Sequence, residues 1–350
     1  MRQPFFPVLA FMLVCLCFGC DRREDAEVYS HQFMAMGTEV TINIADVSQV
    51  TARQASQETS TMIKNMGQRW WSWGNGELGK INQKLEHQTC VHVTDATASM
   101  LELGRRLSLE SEGYFNPAIG QLVHLWGFDQ IEISIPKQPP DDQAIGAYLP
   151  VPGMGDVEID NGELCAPQGL WFDVGAYAKG HIVDLAIEQL RDQGIKHAIV
   201  NAGGDLRVIG KHFDRPWRIA IRNPRGEGII GMLELHDGES IFTSGDYERK
   251  FEYKGKRYHH ILDPTTGYPV ETSRSVTVVH DDGVSADAAA TALFVAGTDK
   301  WQQIARKMGI RYILLIDQDG FIRMNLAMAQ RIELDPVWES MVEVVGNDPQ

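Results

Sequence analysis

The chain has 350 residues, 43% of them hydrophobic, and a formal net charge of −15 at pH 7. This length allows one large domain or two ordinary ones, with enough apolar side chains to bury a substantial core. The acidic residues are spread through the chain, and no run of lysine or arginine could follow a phosphate backbone. The composition therefore argues against nucleic acid as a partner, and an anionic ligand would need local devices such as a metal ion or a helix N-terminus.

The N-terminus has the features of an export signal. Arg2 precedes an apolar run over residues 5–19, which is too short to span a bilayer and has the length of a signal-peptide core. The sequence Phe18-Gly19-Cys20 resembles the end of a lipoprotein cleavage site. We therefore predict a signal peptide over 1–19 and a tether over 20–32, with a lipid on Cys20. An ordinary cleaved signal and an uncleaved anchor are the alternatives.

The residues after the signal predict a compartment. Asp21 follows Cys20 directly and resembles the signal that keeps bacterial lipoproteins at the inner membrane. We therefore expect a lipid-anchored protein on the periplasmic side of the inner (cytoplasmic) membrane. The remaining cysteines, Cys90 and Cys165, could pair in such an oxidising compartment, but the sequence leaves their pairing open.

The first part of the mature chain contains a strand and two helices. Apolar and polar residues alternate over 40–44, which predicts a half-buried strand. A polar helix with a thin apolar stripe is predicted over 51–66. Thr94 or Asp95 can cap a second helix that runs to about Glu112.

Residues 171–184 combine an apolar run, a turn at Gly175 and the start of a helix. From Lys179 onward, apolar residues recur at helical spacing, and Gly194 is placed to end the helix. This pattern predicts a strand, a tight turn and a helix whose unpaired N-terminal N–H groups would attract an anion. Asp173 and Lys179 add both signs of charge beside it. Many such turns bind nothing, so the anion site is a hypothesis at this point.

Hairpin-like patterns dominate the later half of the chain, for example over 217–222 and 232–235. The alternation of strands and helices is irregular, which favours an α+β fold over a doubly wound parallel sheet. The segment Asn201-Ala-Gly-Gly-Asp205 follows an apolar strand, and its paired glycines permit either close approach of a ligand or simply a sharp bend. Neither this segment nor residues 243–249 is assigned a catalytic role.

Two segments nearer the C-terminus carry residues suited to chemistry. His260 precedes a turn, and a histidine can accept a hydroxyl proton near neutral pH. Ser285 can cap an alanine-rich helix on which Asp287 and Thr291, four residues apart, share one face. A carboxylate, a hydroxyl and nearby carbonyls suit Mg²⁺ and not zinc. An aspartate near a helix start is also a common dipole or cap residue.

These segments resemble, in their residues and in their order, the ApbE family of Mg-dependent FAD:protein FMN transferases. The matching motifs are Met36-Gly-Thr38, Leu125-Trp-Gly-Phe128, residues 171–184, 201–205, 243–249 and 260–267, and Ala286-Asp-Ala-Ala-Ala-Thr291. The resemblance implies a single ApbE-like (T-fold-like) α+β unit over residues 33–340. Such a unit has mixed and antiparallel sheets, packed helices and two intertwined halves.

The resemblance also implies roles for single residues. The FAD contacts fall on Met36, Trp73, Tyr114, Phe115, Asn116, Asp173, Lys179 and Leu262. The metal ligands are the carbonyl of Ala176 and the side chains of Asp287 and Thr291, and the general base is His260. Asn116 replaces the aspartate that is common in the family. The change has no effect if backbone atoms make the contact, and it alters the cofactor geometry if the carboxylate is needed.

The implied reaction is a phosphoryl transfer with FAD as the substrate and Mg²⁺ as the cofactor. A threonine hydroxyl of an acceptor protein attacks the FMN phosphorus, His260 or an oxygen beside the metal takes the proton, and AMP leaves. The expected acceptors are membrane redox subunits with a threonine-containing flavinylation motif. One alternative is an FAD pyrophosphatase that uses water as the nucleophile, and the other is a non-enzymatic flavin-binding lipoprotein.

Overall fold

The computed structural model describes residues 28–130 and 138–346, so the predicted signal peptide, Cys20 and the first part of the predicted tether lie outside the described residues. The helices are α1 (Gln49–Arg69), α2 (Glu77–Leu85), α3 (Asp95–Glu110), α4 (Gly120–Trp126), α5 (Asp142–Gly146), α6 (Ala178–Asp192), α7 (Gly283–Lys307) and α8 (Leu326–Ala329), with 3₁₀ turns at Met154–Asp156 and Pro336–Met341. No helix in these ranges is both long enough and apolar enough to cross a bilayer.

The strands are distributed along the whole described chain. They are β1 (Tyr29–Ala35), β2 (Thr38–Ile44), β3 (Cys90–His92), β4 (Glu158–Asp160), β5 (Glu163–Cys165), β6 (Ala198–Ala202), β7 (Asp205–Ile209), β8 (Trp217–Arg222), β9 (Ile229–Leu235), β10 (Ser240–Gly245), β11 (Lys250–Tyr253), β12 (Lys256–His259), β13 (Ser273–His280), β14 (Tyr312–Asp317), β15 (Ile322–Asn325), β16 (Glu333–Leu334) and β17 (Val342–Val345).

A large sheet organises the described residues, with the strand order β1-β2-β6-β7-β10-β13-β14-β15-β17. Neighbouring strands in it are antiparallel, except for the parallel pair β15 and β17. The hairpin predicted over 217–222 and 232–235 is formed by β8 and β9. The antiparallel pairing excludes a doubly wound parallel sheet, and the predicted α+β fold is confirmed.

Successive residues of the central strands point to opposite faces of this sheet and join two separate cores. Val200 and Val278 pack in the core that includes apolar residues of α1, α6 and α7. Ile199 and Val279 pack in the core that includes the inner residues of the β8–β9 hairpin. The large sheet is thus covered by helices on one face and by the small sheet β16-β9-β8 on the other.

The structure shifts two predicted boundaries. The tether was expected to reach residue 32, but β1 begins at Tyr29 and pairs along its length with β2. Half-buried and exposed side chains alternate along β1, which is the pattern of a strand with one face on a core. The domain was expected to end at residue 340, but β17 at Val342–Val345 adds to the same sheet beside β15.

A small sheet, β3-β5-β4, carries a disulfide bond between Cys90 and Cys165. The two cysteines stand directly opposite each other on the antiparallel strands β3 and β5. Register therefore brings together two residues that are 75 positions apart in the chain. The pairing that the sequence left open is formed.

Candidate active site

One cleft brings together all the nucleotide-binding, metal-binding and catalytic residues that the sequence predicts. It has a volume of about 760 Å³. Its lining includes Met36, Trp73, Tyr114, Phe115, Asn116, Asp173, Ala176, Lys179, His260, Leu262, Asp287 and Thr291. These positions are spread over most of the chain, so the fold places them side by side. The role of each residue stays a prediction.

The N-termini of α6 and α7 meet at this cleft and cap each other. Oδ2 of Asp287 in α7 accepts the N–H of Gly180 in α6 at 3.0 Å. In return, the carboxylate of Asp184 in α6 accepts the N–H groups of Gly283 and Val284, each at 3.1 Å. A Cβ atom on Gly180 would lie 2.3 Å from the carbonyl oxygen of Gly283, so only glycine allows the helices to come this close.

The prediction that Ser285 caps α7 is wrong. The helix begins two residues earlier, at Gly283, and its N-cap residue Asp282 forms no capping bond with its side chain. The first N–H groups are already bound by Asp184 from α6, so the Ser285 hydroxyl donates to the carboxylate of Asp282 instead. A local sequence pattern could not reveal a cap that comes from another helix.

Lys179 lies between two carboxylates at the start of α6. Its ammonium group bonds to the carboxylate of Asp205 and lies close to that of Asp287. Asp205 also accepts the N–H of Thr243 at 2.9 Å. Burial raises the pKa of Asp287, an effect that Lys179 opposes and Asp205 strengthens. Two buried carboxylates against one ammonium leave an excess of negative charge, which favours a further cation.

The oxygen atoms beside Asp287 suit a hard divalent cation. The hydroxyl of Thr291 lies 3.0 Å from that of Ser244. In a regular helix the N–H of Gly180 would bind the carbonyl of Ala176, but it is donated to Asp287, and no backbone hydrogen bond between described residues uses that carbonyl. Among the described residues, no group of three or more histidine, cysteine, aspartate or glutamate side chains is placed so that it could hold a metal ion by itself. Carboxylate, hydroxyl and carbonyl oxygens fit Mg²⁺ rather than zinc.

The surroundings of His260 keep its imidazole neutral. Its backbone N–H donates to the carbonyl of Arg249 at 3.0 Å, and its Nδ1 atom is buried without a hydrogen-bond partner among the described residues. Burial, followed by the positive charges of Arg249 and Lys179 and the neighbouring His259, holds the pKa of His260 well below its usual value. A neutral imidazole that lines the cleft can accept a proton.

An aromatic wall, made of Trp73, Trp171 and His124, stands beside the predicted nucleotide contacts. Trp73 stacks on Trp171 with ring centroids 5.1 Å apart and on His124 at 5.7 Å. The strand predicted to begin at Trp171 is wrong, because Trp171 forms only an isolated bridge with Ile119. The segment up to Asp173 is held by other contacts.

A buried amide takes the place of a strand partner here. Asn82 of α2 is fully buried, and its Oδ1 accepts the N–H of Phe172 at 2.9 Å. Its Nδ2 donates to the carbonyls of Phe172 and Ser72 at 2.9 and 3.2 Å. One side chain therefore satisfies both backbone groups of Phe172 and ties the residue before Trp73 to the residue before Asp173.

The side chain of Asn116 is engaged within the protein. Its Nδ2 donates to the carbonyl of Pro152 and its Oδ1 accepts the N–H of Ala118, each at 3.0 Å. An aspartate at this position could not make the first of these bonds. The amide thus secures the turn that carries Tyr114 and Phe115 to the cleft, and the departure from the family pattern has a structural use.

Comparison with known proteins assigns the chain to a family. The ApbE family profile matches residues 36–314. The chain belongs to the ApbE family. It is accordingly an enzyme, a transferase, as the named relatives below are.

The ApbE relatives cover the chain almost completely. A protein of Rhodobacter capsulatus named FAD:protein FMN transferase is 38% identical over 307 residues, which are 87% of this chain and 58% of the relative. A protein of the same name from Haemophilus influenzae is 29% identical over 340 residues, covering 92% of this chain and 96% of the relative. This chain therefore spans less than two thirds of the first relative's length but nearly all of the second.

Solved ApbE structures share the fold. The crystal structure of the ApbE protein of Thermotoga maritima matches with a TM-score of 0.78 and 30% identity, covering 90% of this chain and 99% of that one. The flavin transferase ApbE from Vibrio cholerae matches with a TM-score of 0.76 and 28% identity, covering 87% of this chain and 99% of that one. The layers described above are therefore those of ApbE proteins.

Several residues in and around the cleft had no role predicted from the sequence. Asp205 and Ser244 belong to motifs that carry the resemblance, but nothing local indicated that they contact Lys179 and Thr291. Asn82 lies outside every motif and gave no signal. The signal that could have found it is a polar residue on the apolar face of α2, between the buried Ile81 and Leu85.

Proposed function

We propose that this ApbE-family chain transfers FMN from FAD to a threonine hydroxyl of an acceptor protein and releases AMP, in a reaction that depends on Mg²⁺. The main support is that one cleft collects the oxygen ligands for a cation, a neutral histidine and Trp73 of the aromatic wall. The name FAD:protein FMN transferase, borne by relatives that align over most of the chain, supports the same reaction.

The carbonyl of Ala176 and the side chains of Asp287 and Thr291 would hold the Mg²⁺ ion. When bound, the ion would neutralise the charge of the diphosphate during cleavage of the P–O bond. Lys179 and the N-terminus of α6 add positive potential on the same side of the cleft. Asp205 holds the Lys179 ammonium in place, so this charge is fixed before the substrate arrives.

His260 is the proposed general base. The acceptor hydroxyl oxygen forms a bond to the FMN phosphorus, its proton moves to the neutral imidazole, and the bond between that phosphorus and the AMP oxygen breaks. The FMN then remains on the acceptor as a phosphoester. The low pKa of His260 keeps the imidazole ready to accept a proton at neutral pH, although it also weakens the base.

The proposed location follows from the first 32 residues and from the disulfide. A signal peptide and a lipid on Cys20 would anchor the enzyme at the periplasmic face of the inner membrane. The bond between Cys90 and Cys165 supports an oxidising compartment. The proposed acceptors are membrane redox subunits, which would share that surface.

The test uses the full chain in detergent with FAD, Mg²⁺ and a purified redox-subunit domain that carries a threonine flavinylation motif. The same domain with that threonine replaced by valine is the control. We expect the mass of one FMN on the threonine acceptor, one AMP per adduct, and loss of both on adding a chelator. AMP and FMN formed at equal rates without any adduct would indicate a pyrophosphatase, and bound but unchanged FAD would indicate a binding protein.

A further inference from the structure

One edge of strand β8 borders the cleft. Four consecutive residues, Ile219 to Arg222, line the cleft. Successive side chains of a strand point to opposite faces of the sheet, so four residues in a row cannot all reach one cavity from a single face. The cleft must therefore border the edge of the strand, where its main-chain groups lie.

This edge of β8 is free within the described chain. The small sheet has the order β16-β9-β8, so β9 occupies only one side of β8. No backbone hydrogen bond from β8 to another described element is formed on the other side. The pairing with β9 shifts register between Ile221 and Arg222, and such irregularities often turn a strand end near a functional site. An open edge is a template for an added strand.

The free edge ends beside the predicted metal site. The guanidinium of Arg222 lies over the ring of Tyr247, 5.5 Å from its centroid. Burial raises the pKa of Tyr247, and the negative charges of Glu248 and Asp205 raise it further. Tyr247 also follows Ser244 closely in the chain, and the hydroxyl of Ser244 contacts Thr291. A polypeptide paired with β8 would therefore extend toward the predicted metal site at Asp287 and Thr291.

The charge at the end of this edge suits an acidic chain. Arg218, on the same strand, pairs with Glu333 at 2.5 Å, and Arg225 pairs with Asp246 at 2.7 Å. Arg222 is exposed and forms no ion pair within the described ranges. It is thus a cation available to a carboxylate from outside, in a chain whose net charge is −15.

We propose that the acceptor polypeptide binds as an extended strand on the free edge of β8, with a carboxylate against Arg222 and its hydroxyl-bearing residue directed into the cleft. This inference rests on the proposed transfer to a protein hydroxyl, because only a macromolecular acceptor needs such an edge. Main-chain pairing explains how acceptors of differing sequence can present a hydroxyl at one place, since the backbone bonds are the same for each.

The first experiment is hydrogen exchange on the FAD-loaded full chain with and without the acceptor domain in which valine replaces the target threonine. This acceptor can bind but cannot receive FMN. We expect added protection of backbone amides in residues 217–222, because pairing would cover N–H groups that are now open. Strand β1 is the internal comparison, since it is also an edge and its end lines the cleft. Protection confined to residues 29–35 would overturn the proposal.

The second experiment compares Arg222→Gln with the matched control Arg218→Gln. Both arginines lie on β8, but only Arg222 lines the cleft. We expect Arg222→Gln to raise the KM for the acceptor by about tenfold with little change in kcat, and Arg218→Gln to leave the KM within about twofold. The dissociation constant for FAD is measured for both. If Arg222→Gln raised the dissociation constant for FAD by as much as the KM for the acceptor, the arginine would be a nucleotide contact and the proposal would be overturned.

Transfer by the unaltered enzyme separates this inference from the function on which it rests. If FMN reaches the threonine acceptor but β8 gains no protection and Arg222→Gln behaves as Arg218→Gln does, the docking proposal fails and the proposed function stands. If the unaltered enzyme transfers no FMN to the acceptor while binding FAD, both are overturned.

Discussion

The predicted magnesium site and Trp73 of the aromatic wall line the same cleft, yet the two regions are held by different kinds of contact. At the magnesium site, two helix N-termini cap each other through Asp184 and Asp287, and a glycine contact sets their separation. The loop segments that carry Trp73 and Trp171 are instead tied together by the buried amide of Asn82. We therefore expect changes at the helix junction to affect chemistry and stability, and changes at the wall to affect nucleotide binding first.

The largest effect is expected for Asp287→Asn. The amide oxygen can still accept the N–H of Gly180, but the negative charge that the proposed Mg²⁺ needs is lost. We expect FMN transfer to fall by at least about a hundredfold while the thermal unfolding midpoint changes little. Initial rates measured over a range of Mg²⁺ concentrations test this. A variant as fast as the unaltered enzyme at every concentration would exclude Asp287 as a ligand.

The wall is tested by Asn82→Leu. The change leaves the buried N–H and C=O of Phe172 without partners, so we expect unfolding to become easier by about 3 kcal/mol. Because the wall would move, the dissociation constant for FAD should rise by about tenfold, with a smaller change in kcat. Urea unfolding and FAD titration give the two numbers. A fall in kcat with unchanged FAD affinity would show that Asn82 supports the chemical step and not nucleotide binding, and would contradict this prediction.

The glycine contact is tested by Gly180→Ala. The added Cβ would lie 2.3 Å from the Gly283 oxygen, so the helices must separate, and we expect a loss of about 1–3 kcal/mol in unfolding free energy together with a slower transfer. Gly146→Ala in α5 is the matched control, because a Cβ there meets no atom within 4 Å. Equal stability of the two variants would show that the helix junction tolerates expansion.

The smallest effect is a pH dependence of stability caused by His260. Its pKa is lowered in the folded protein, so below about pH 6.5 the unfolded chain binds a proton that the folded protein does not. His260 therefore destabilises the fold as the pH drops, by up to about 1.4 kcal/mol per pH unit below 6.5. Urea unfolding from pH 5 to 7.5 should show that the unfolding free energy falls less steeply with decreasing pH for His260→Gln than for the unaltered enzyme. His87→Gln is the control, because His87 is exposed. Parallel curves for His260→Gln and the unaltered enzyme would contradict it.

The elements with a strong local pattern were predictable. The alternation at 40–44 became β2, Thr94 caps α3 as its sequence indicated, and Gly194 ends α6 with a positive φ of 81°. The prediction was wrong where the partner is distant in sequence. Phe172 has its backbone satisfied by Asn82, 90 residues away, and so needs no strand. The N-terminus of α7 is capped by Asp184, about 100 residues earlier, and so does not use Ser285.

The sequence by itself determined the family, the α+β class and the residue types of the candidate site, because motifs and periodicity act over a few neighbouring positions. Only the tertiary structure decided which of these residues meet. The bond between Gly180 and Asp287 joins positions 107 apart, and that between Ser244 and Thr291 joins positions 47 apart. The free edge of β8 was also decided by the tertiary structure, because the order of the strands in a sheet determines which strand lies at its edge. Such contacts depend on how the layers pack, and no local pattern records that packing.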